Sequence, residues 1–128
     1  PALSAVHAGL DLINAVGVMF HIVDDGELER VVGRLAAALR PGGVFIISGY
    51  FGWITQNTQF HSRDAYSDWA ETRSIPGSGP VLVDKRVRSI FFWRRLLNRH
   101  GLRIRRVRRH RNPLYGPENN ILFAVRGG

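Results

Sequence analysis

Cysteine is missing altogether. That removes disulfide frameworks, thiolate zinc sites and any reaction that uses a Cys nucleophile, and it makes the cytoplasm the expected compartment. Lysine is almost missing as well: Lys85 stands alone among 18 basic residues, and the other 17 are arginine. A GC-rich coding bias produces such a skew as readily as selection for guanidinium chemistry, so the charge balance carries little functional weight by itself. No apolar run approaches the roughly 20 residues of a spanning helix, and no membrane partner is expected. The chain opens on Pro1 with neither an initiator Met nor a basic and then apolar leader, and is expected to be a piece of a longer protein. Metal chemistry finds little support, because His7, His61, His100 and His110 have no partners at ligand spacing.

What is present suits one α/β domain. At 128 residues and 45% hydrophobic content the chain can bury one modest core. Its net charge of +8 gives an anionic partner a hearing without saying anything about the fold. Leu10 to Gly17 belongs to a nearly continuous apolar run, as expected of a strand buried on both faces of a parallel sheet. Asp24 and Asp25 then precede Leu28, Val31, Val32, Leu35 and Leu39, whose spacing places one apolar stripe on a helix, with Glu27 or Glu29 in its first turn. Arg40-Pro41-Gly42-Gly43 stops that helix, and Val44 to Ser48 is a second β-branched run. Strand, helix and strand within about 40 residues make a right-handed βαβ unit.

From Tyr50 to Arg86 the periodicity dissolves into aromatic and polar residues around the Pro76-Gly77-Ser78-Gly79-Pro80 turn, which reads as an insertion over residues 50–87 with a short helix near Asp64 to Glu71. Ser89 has the position of an N-cap before Ile90, Trp93, Leu96 and Leu97, and Gly101 that of a left-handed helix stop. Leu102 to Val107 predicts a strand with an irregular step, since Arg105-Arg106 breaks its alternation, and Asn120 to Arg126 a last strand. Asn112-Pro113-Leu114-Tyr115 falls in the turn between those two.

In this order, the words DLINAVGVMFHI, LAAALRPGGVFIIS, WRRLLNRHGLRI and NILFAVR resemble the C-terminal half of a class I S-adenosylmethionine-dependent methyltransferase, over roughly residues 10 to 49 and 88 to 126. Leu39-Arg40-Pro41-Gly42-Gly43, which leads into the second strand, is the most specific element. The resemblance implies half of a Rossmann-like sheet, with Leu10–Gly17, Val44–Ser48, Asn120–Arg126 and Leu102–Val107 side by side in that spatial order. The first two would be parallel, and Asn120–Arg126 antiparallel to both of its neighbours. It also implies S-adenosylmethionine as cofactor and a small-molecule O, N or C nucleophile as methyl acceptor. The family's Gly-rich turn and ribose-binding acid have no counterpart here, because Gly77-Ser78-Gly79 sits in a Pro-flanked turn. The isolated chain is therefore expected to be inactive.

On that resemblance Ala15, Val16, Gly17, Met19 and Phe20 face the cofactor at the carboxyl end of the first strand. His21 is the candidate base. Tyr50, Phe51, Trp53, Tyr66 and Trp69 in the insertion would contact an apolar or aromatic acceptor. A half-sheet leaves the edge of Leu10–Gly17 unpaired, so self-association through it is expected. A rival account rests on Lys85 to Arg111, which holds 12 basic residues and no acidic one. It makes the chain a non-catalytic basic α/β module that binds nucleic acid or a protein partner. The bland account is a solvated helix face and a charged edge strand.

Overall fold

A computed structural model describes residues 9–49, 51–52, 57–63, 82–110 and 119–128. The expected helix and Tyr66 and Trp69 with it, as well as Tyr50 and Trp53, lie outside them. Among the described residues β1 (Leu10–Ala15) runs through a short 3-10 turn (Met19–His21) into α1 (Asp25–Ala38), followed by β2 (Leu39–Gly49), β3 (Phe51–Gly52) and β4 (Asn57–Arg63). After these come β5 (Leu82–Ser89), α2 (Ile90–Arg99), β6 (Leu102–His110) and β7 (Asn119–Arg126). The main sheet has the order β1-β2-β7-β6, with β1 parallel to β2 and β7 antiparallel to both β2 and β6. This is the arrangement the resemblance implies. The irregular step in β6 is also present, as a register shift between Ile104 and Arg106.

Both helices begin on a side-chain cap. Asp24 Oδ1 accepts from the Glu27 amide at 2.7 Å, and Ser89 Oγ from the Phe92 amide at 3.1 Å. Gly101 takes a φ of +74° after α2, a left-handed conformation that favours glycine. Leu28, Val32 and Ala36 of α1 and Trp93, Leu96 and Leu97 of α2 enter one core with Phe45, Ile47, Leu102, Leu122 and Ala124. The two helices therefore share one face of the sheet. Their ends are tied where Arg99 forks onto Glu29 at 3.0 and 3.2 Å, which holds that carboxyl below its usual range.

Two expectations are corrected. The first strand ends at Ala15, because Val16 and Gly17 already turn, and Gly17 has a φ of +76°. Residues 50–87 are not patternless: β3, β5 and β4 form a second sheet in that order, β4 antiparallel to β5 and β3 parallel to it. Charged residues at Asp84, Lys85, Arg86 and Arg88 hide the alternation of β5.

Leu39-Arg40-Pro41-Gly42-Gly43 has a physical explanation. Leu10 pairs with Leu39 but Leu12 pairs with Val44, so β2 spends five residues where β1 spends two. The excess chain turns at Gly42, whose φ is +79°. Gly43 then passes under β1 so closely that a Cβ there would lie 2.9 Å from the carbonyl oxygens of Leu10 and Arg40. Both are backbone atoms and cannot swing away. Gly43→Ala should therefore cost about 1–3 kcal/mol in urea unfolding. Gly127→Ala, where the nearest atom would be 3.6 Å away, should be nearly neutral. Equal midpoints for the two variants would contradict this account of the turn.

Candidate functional site

The carboxyl ends of β1 and β2 lie side by side, and ligands of open α/β sheets bind beyond such ends. The turn leaving β1 is held from below by β2: the Gly17 amide donates to Ser48 Oγ at 2.7 Å, and Ser48 is buried. Asn14 Oδ1 accepts from the Val16 amide at 3.1 Å, which tightens the same turn. Ala15 and Met19 point into the core. Their side chains support the turn, and Val16, at 46% exposure, Gly17 and the half-buried Phe20 form its outer surface.

Phe20 organises the next layer. Its ring meets the exposed His21 ring in a tilted contact, 4.4 Å between centroids and 39° between planes, and lies over Gly49, where a Cβ would approach it to 3.7 Å. Lys85 of β5 places Nζ 5.5 Å from the Phe20 centroid, within cation–π range. The half-buried Phe51 packs against the edge of the core as β3 begins. Thus the structure brings Val16, Gly17, Phe20, His21 and Phe51 to one end of the sheet, while Tyr50, Trp53, Tyr66 and Trp69 are outside the described residues.

A buried arginine fixes this end. Arg88 on β5 is 1% exposed; its Nε donates to Asp25 Oδ1 and its Nη2 to the Ile22 carbonyl, both at 2.8 Å. Its guanidinium carbon lies 5.4 Å from the Phe92 ring. Asp25 in turn accepts from Asn57 Nδ2 of β4 at 3.0 Å, and Asn57 Oδ1 accepts from Arg86 at 2.9 Å. Strands β4 and β5 are thereby clamped to the start of α1 and the exit of the 3-10 turn. Burial pushes the Asp25 carboxyl up, but the hydrogen bonds from Arg88 and Asn57 and the nearby guanidinium charges outweigh it and leave the carboxyl below its usual range. For Arg88, burial lowers the guanidinium against the pull of Asp25, and it stays charged.

Sequence reasoning missed Ser48, Gly49, Asn57, Lys85 and Arg88 as parts of this site. A basic run reads as solvated surface. The one local signal for a strand through Arg88 is the apolar Val81-Leu82-Val83 sequence after Pro80, which the basic residues that follow obscure.

No protein-family model and no curated protein sequence matches the chain. Solved structures do match. One is the Burkholderia thailandensis 1,6-didemethyltoxoflavin-N1-methyltransferase, solved with 1,6-didemethyltoxoflavin and S-adenosylhomocysteine (TM-score 0.69, 16% identity, 98% of this chain and 48% of that one). A SAM-dependent methyltransferase from Methanosarcina mazei matches with TM-score 0.70, 13% identity, 99% of this chain and 65% of that one. The magnesium protoporphyrin IX methyltransferase of Synechocystis PCC 6803 with bound S-adenosylhomocysteine matches with TM-score 0.58, 17% identity, 99% of this chain and 49% of that one. The fold is that of the class I S-adenosylmethionine-dependent methyltransferases. The chain spans about half to two thirds of the length of these methyltransferases.

Asp25→Asn should lower stability by about 1–3 kcal/mol at neutral pH, less than for a fully enclosed pair because the Asp25 side chain is 43% exposed. The folded-state carboxyl lies below its unfolded value of about 3.9, so its contribution is complete above that value and fades as pH falls through the lower, folded one. Urea midpoints of wild type and variant should hence converge below about pH 4. A gap independent of pH would show that the Asp25 charge is not what anchors Arg88.

Proposed function

We propose that this chain is part of an S-adenosylmethionine-dependent methyltransferase acting on a small-molecule O, N or C nucleophile. The observation that carries it is the β1-β2-β7-β6 sheet, ending in a turn pinned by Ser48 and walled by Phe20, in a fold shared with methyltransferases of small molecules. The cofactor supplies a methyl group already activated on a sulfonium. Such a transfer asks the protein chiefly for alignment of the acceptor and exclusion of water. Val16, Gly17 and Phe20 would lie along the cofactor, with Ala15 and Met19 fixing the turn from the core. His21, exposed beside Phe20, would take the acceptor's proton where the nucleophile carries one.

Residues 50–87 would form the acceptor cap, with Tyr50, Phe51, Trp53, Tyr66 and Trp69 as its contacts. The clamp of Asn57 and Arg88 on Asp25, with Arg86 donating to Asn57, supports this, because it holds strands of the insertion against the start of α1. The outer edge of β1 has no strand partner among the described residues, and Leu12, Val16 and Val18 are exposed near it. In the isolated chain a second copy would pair there. Light scattering should accordingly show dimers that grow with concentration, and a clean monomer at high concentration would count against pairing.

The experiment that tests the function is calorimetric titration with S-adenosylmethionine. On the resemblance, the chain lacks counterparts of the family's Gly-rich turn and ribose-binding acid, each loss removing charge-assisted or backbone hydrogen bonds of roughly 1–3 kcal/mol. No saturation is expected at ordinary concentrations for the chain alone. Micromolar binding is expected once it is fused behind the first strands of a methyltransferase of this fold. Micromolar binding by the chain alone, or none by the fusion, would refute this assignment of the cofactor contacts.

A further inference from the structure

Lys85 is the chain's only lysine, and it stands where strand β5 of the insertion runs alongside the 3-10 turn Met19–His21. Side chains of a strand alternate between its two sides, and the basic residues of β5 divide accordingly. Arg86 and Arg88 reach Asn57 and Asp25 and belong to the clamp. Lys85, out of phase with them, places Nζ 5.5 Å from the Phe20 centroid. No carboxylate among the described residues pairs with it: Asp25 is held by Arg88, Glu29 by Arg99 and Asp11 by Arg40.

A ring face attracts an ammonium but offers its three N–H donors no oxygen. Lys85 is half-buried, and partial removal from water strengthens its pull on an anion. The ring that Lys85 meets is also the one His21 touches, at 4.4 Å between centroids. Ammonium and imidazole are thus at most about 10 Å apart, the span of one small ring with a hydrogen bond at each end. All three residues lie within this chain, where the insertion meets the turn leaving β1.

We propose that Lys85 selects the methyl acceptor, a small molecule whose carboxylate or phenolate oxygen this ammonium holds while its nucleophile lies toward His21. The proposal rests on the methyltransferase reading and narrows its acceptor to an oxyanion-bearing class. A compact ammonium suits this task, since it meets a single oxygen from a flexible stem, and the stem lies along Phe20. Nucleic-acid phosphate is a poorer fit, because the guanidinium groups of Arg86 and Arg88 that would continue a track are already engaged by Asn57 and Asp25.

The test uses the 128-residue chain carrying carbon-13-labelled lysine, in which one side-chain signal reports Lys85. The probes are 3-hydroxybenzoate, 3-hydroxybenzamide, inorganic phosphate and S-adenosylhomocysteine. At low salt 3-hydroxybenzoate should move the Lys85 Cε signal and the Phe20 and His21 amides, and should bind about tenfold tighter than 3-hydroxybenzamide. Lys85→Met, which keeps the stem on Phe20, should bring the two probes level, and Lys85→Arg should preserve the preference. Equal binding of the two probes, a preference unmoved in Lys85→Met, or phosphate binding as tightly as 3-hydroxybenzoate would overturn the proposal. So would S-adenosylhomocysteine moving the Lys85 signal as far, which would make Lys85 a cofactor contact. Shifts at Val16 and Gly17 with S-adenosylhomocysteine, but no response to 3-hydroxybenzoate, would refute this proposal alone. A benzoate preference without those shifts would uphold the anion site and refute the cofactor reading.

Discussion

A buried guanidinium is costly unless its charge is met, and the organisation of this chain around Arg88 follows from that cost. Asp25 meets the charge, the Ile22 carbonyl accepts a second hydrogen bond and the Phe92 ring lies alongside. Those three partners come from the start of α1, the exit of the 3-10 turn and the first turn of α2. One side chain on β5 thus joins the end of the 3-10 turn to the first turns of both helices. The second sheet is tied to the main one at the end of β5 by this arginine, and Asn57 of β4 reaches the same carboxylate.

What happens at the carboxyl ends of β1 and β2 depends on that anchor. The turn after β1 is pinned on one side by Ser48 and on the other through Ile22 and Asp25. Phe20 is caught between Gly49 and Lys85. A surface built this way presents backbone and one aromatic ring in a fixed geometry, which suits a reaction that needs alignment more than acid or base strength. At the opposite end of the sheet, Arg126 donates to the carbonyls of Ala37 and Leu39 and satisfies the end of α1.

The main sheet was legible in the sequence because its signals are local. Apolar runs of strand length, Asp24 and Ser89 as caps, Gly101 as a stop and the break at Arg105-Arg106 each report a nearby backbone fact. Strand order came from the resemblance, since no local signal says that β7 lies between β2 and β6. The second sheet was not legible: β4 reads Asn-Thr-Gln-Phe-His-Ser-Arg and β5 carries four charges, so neither has an apolar periodicity. Arg88 was hidden for the same reason. Its burial is set by Asp25, 63 residues earlier, and such a partner cannot be read from spacing. Of the site, the β1 turn residues were named in advance and the β5 residues that hold them were not. Ala15 and Met19 show that position at a strand end does not by itself decide whether a side chain faces ligand or core.

If the carboxyl ends of β1 and β2 are the cofactor side of this half-sheet, as proposed, a map of amide shifts as millimolar S-adenosylhomocysteine is added to the isotopically labelled chain will show it. Weak, non-saturating shifts confined to Val16 to His21 and to Ser48 and Gly49 are the expected result. Shifts confined to β6 or α2, with Gly17 and Phe20 unmoved, would contradict it.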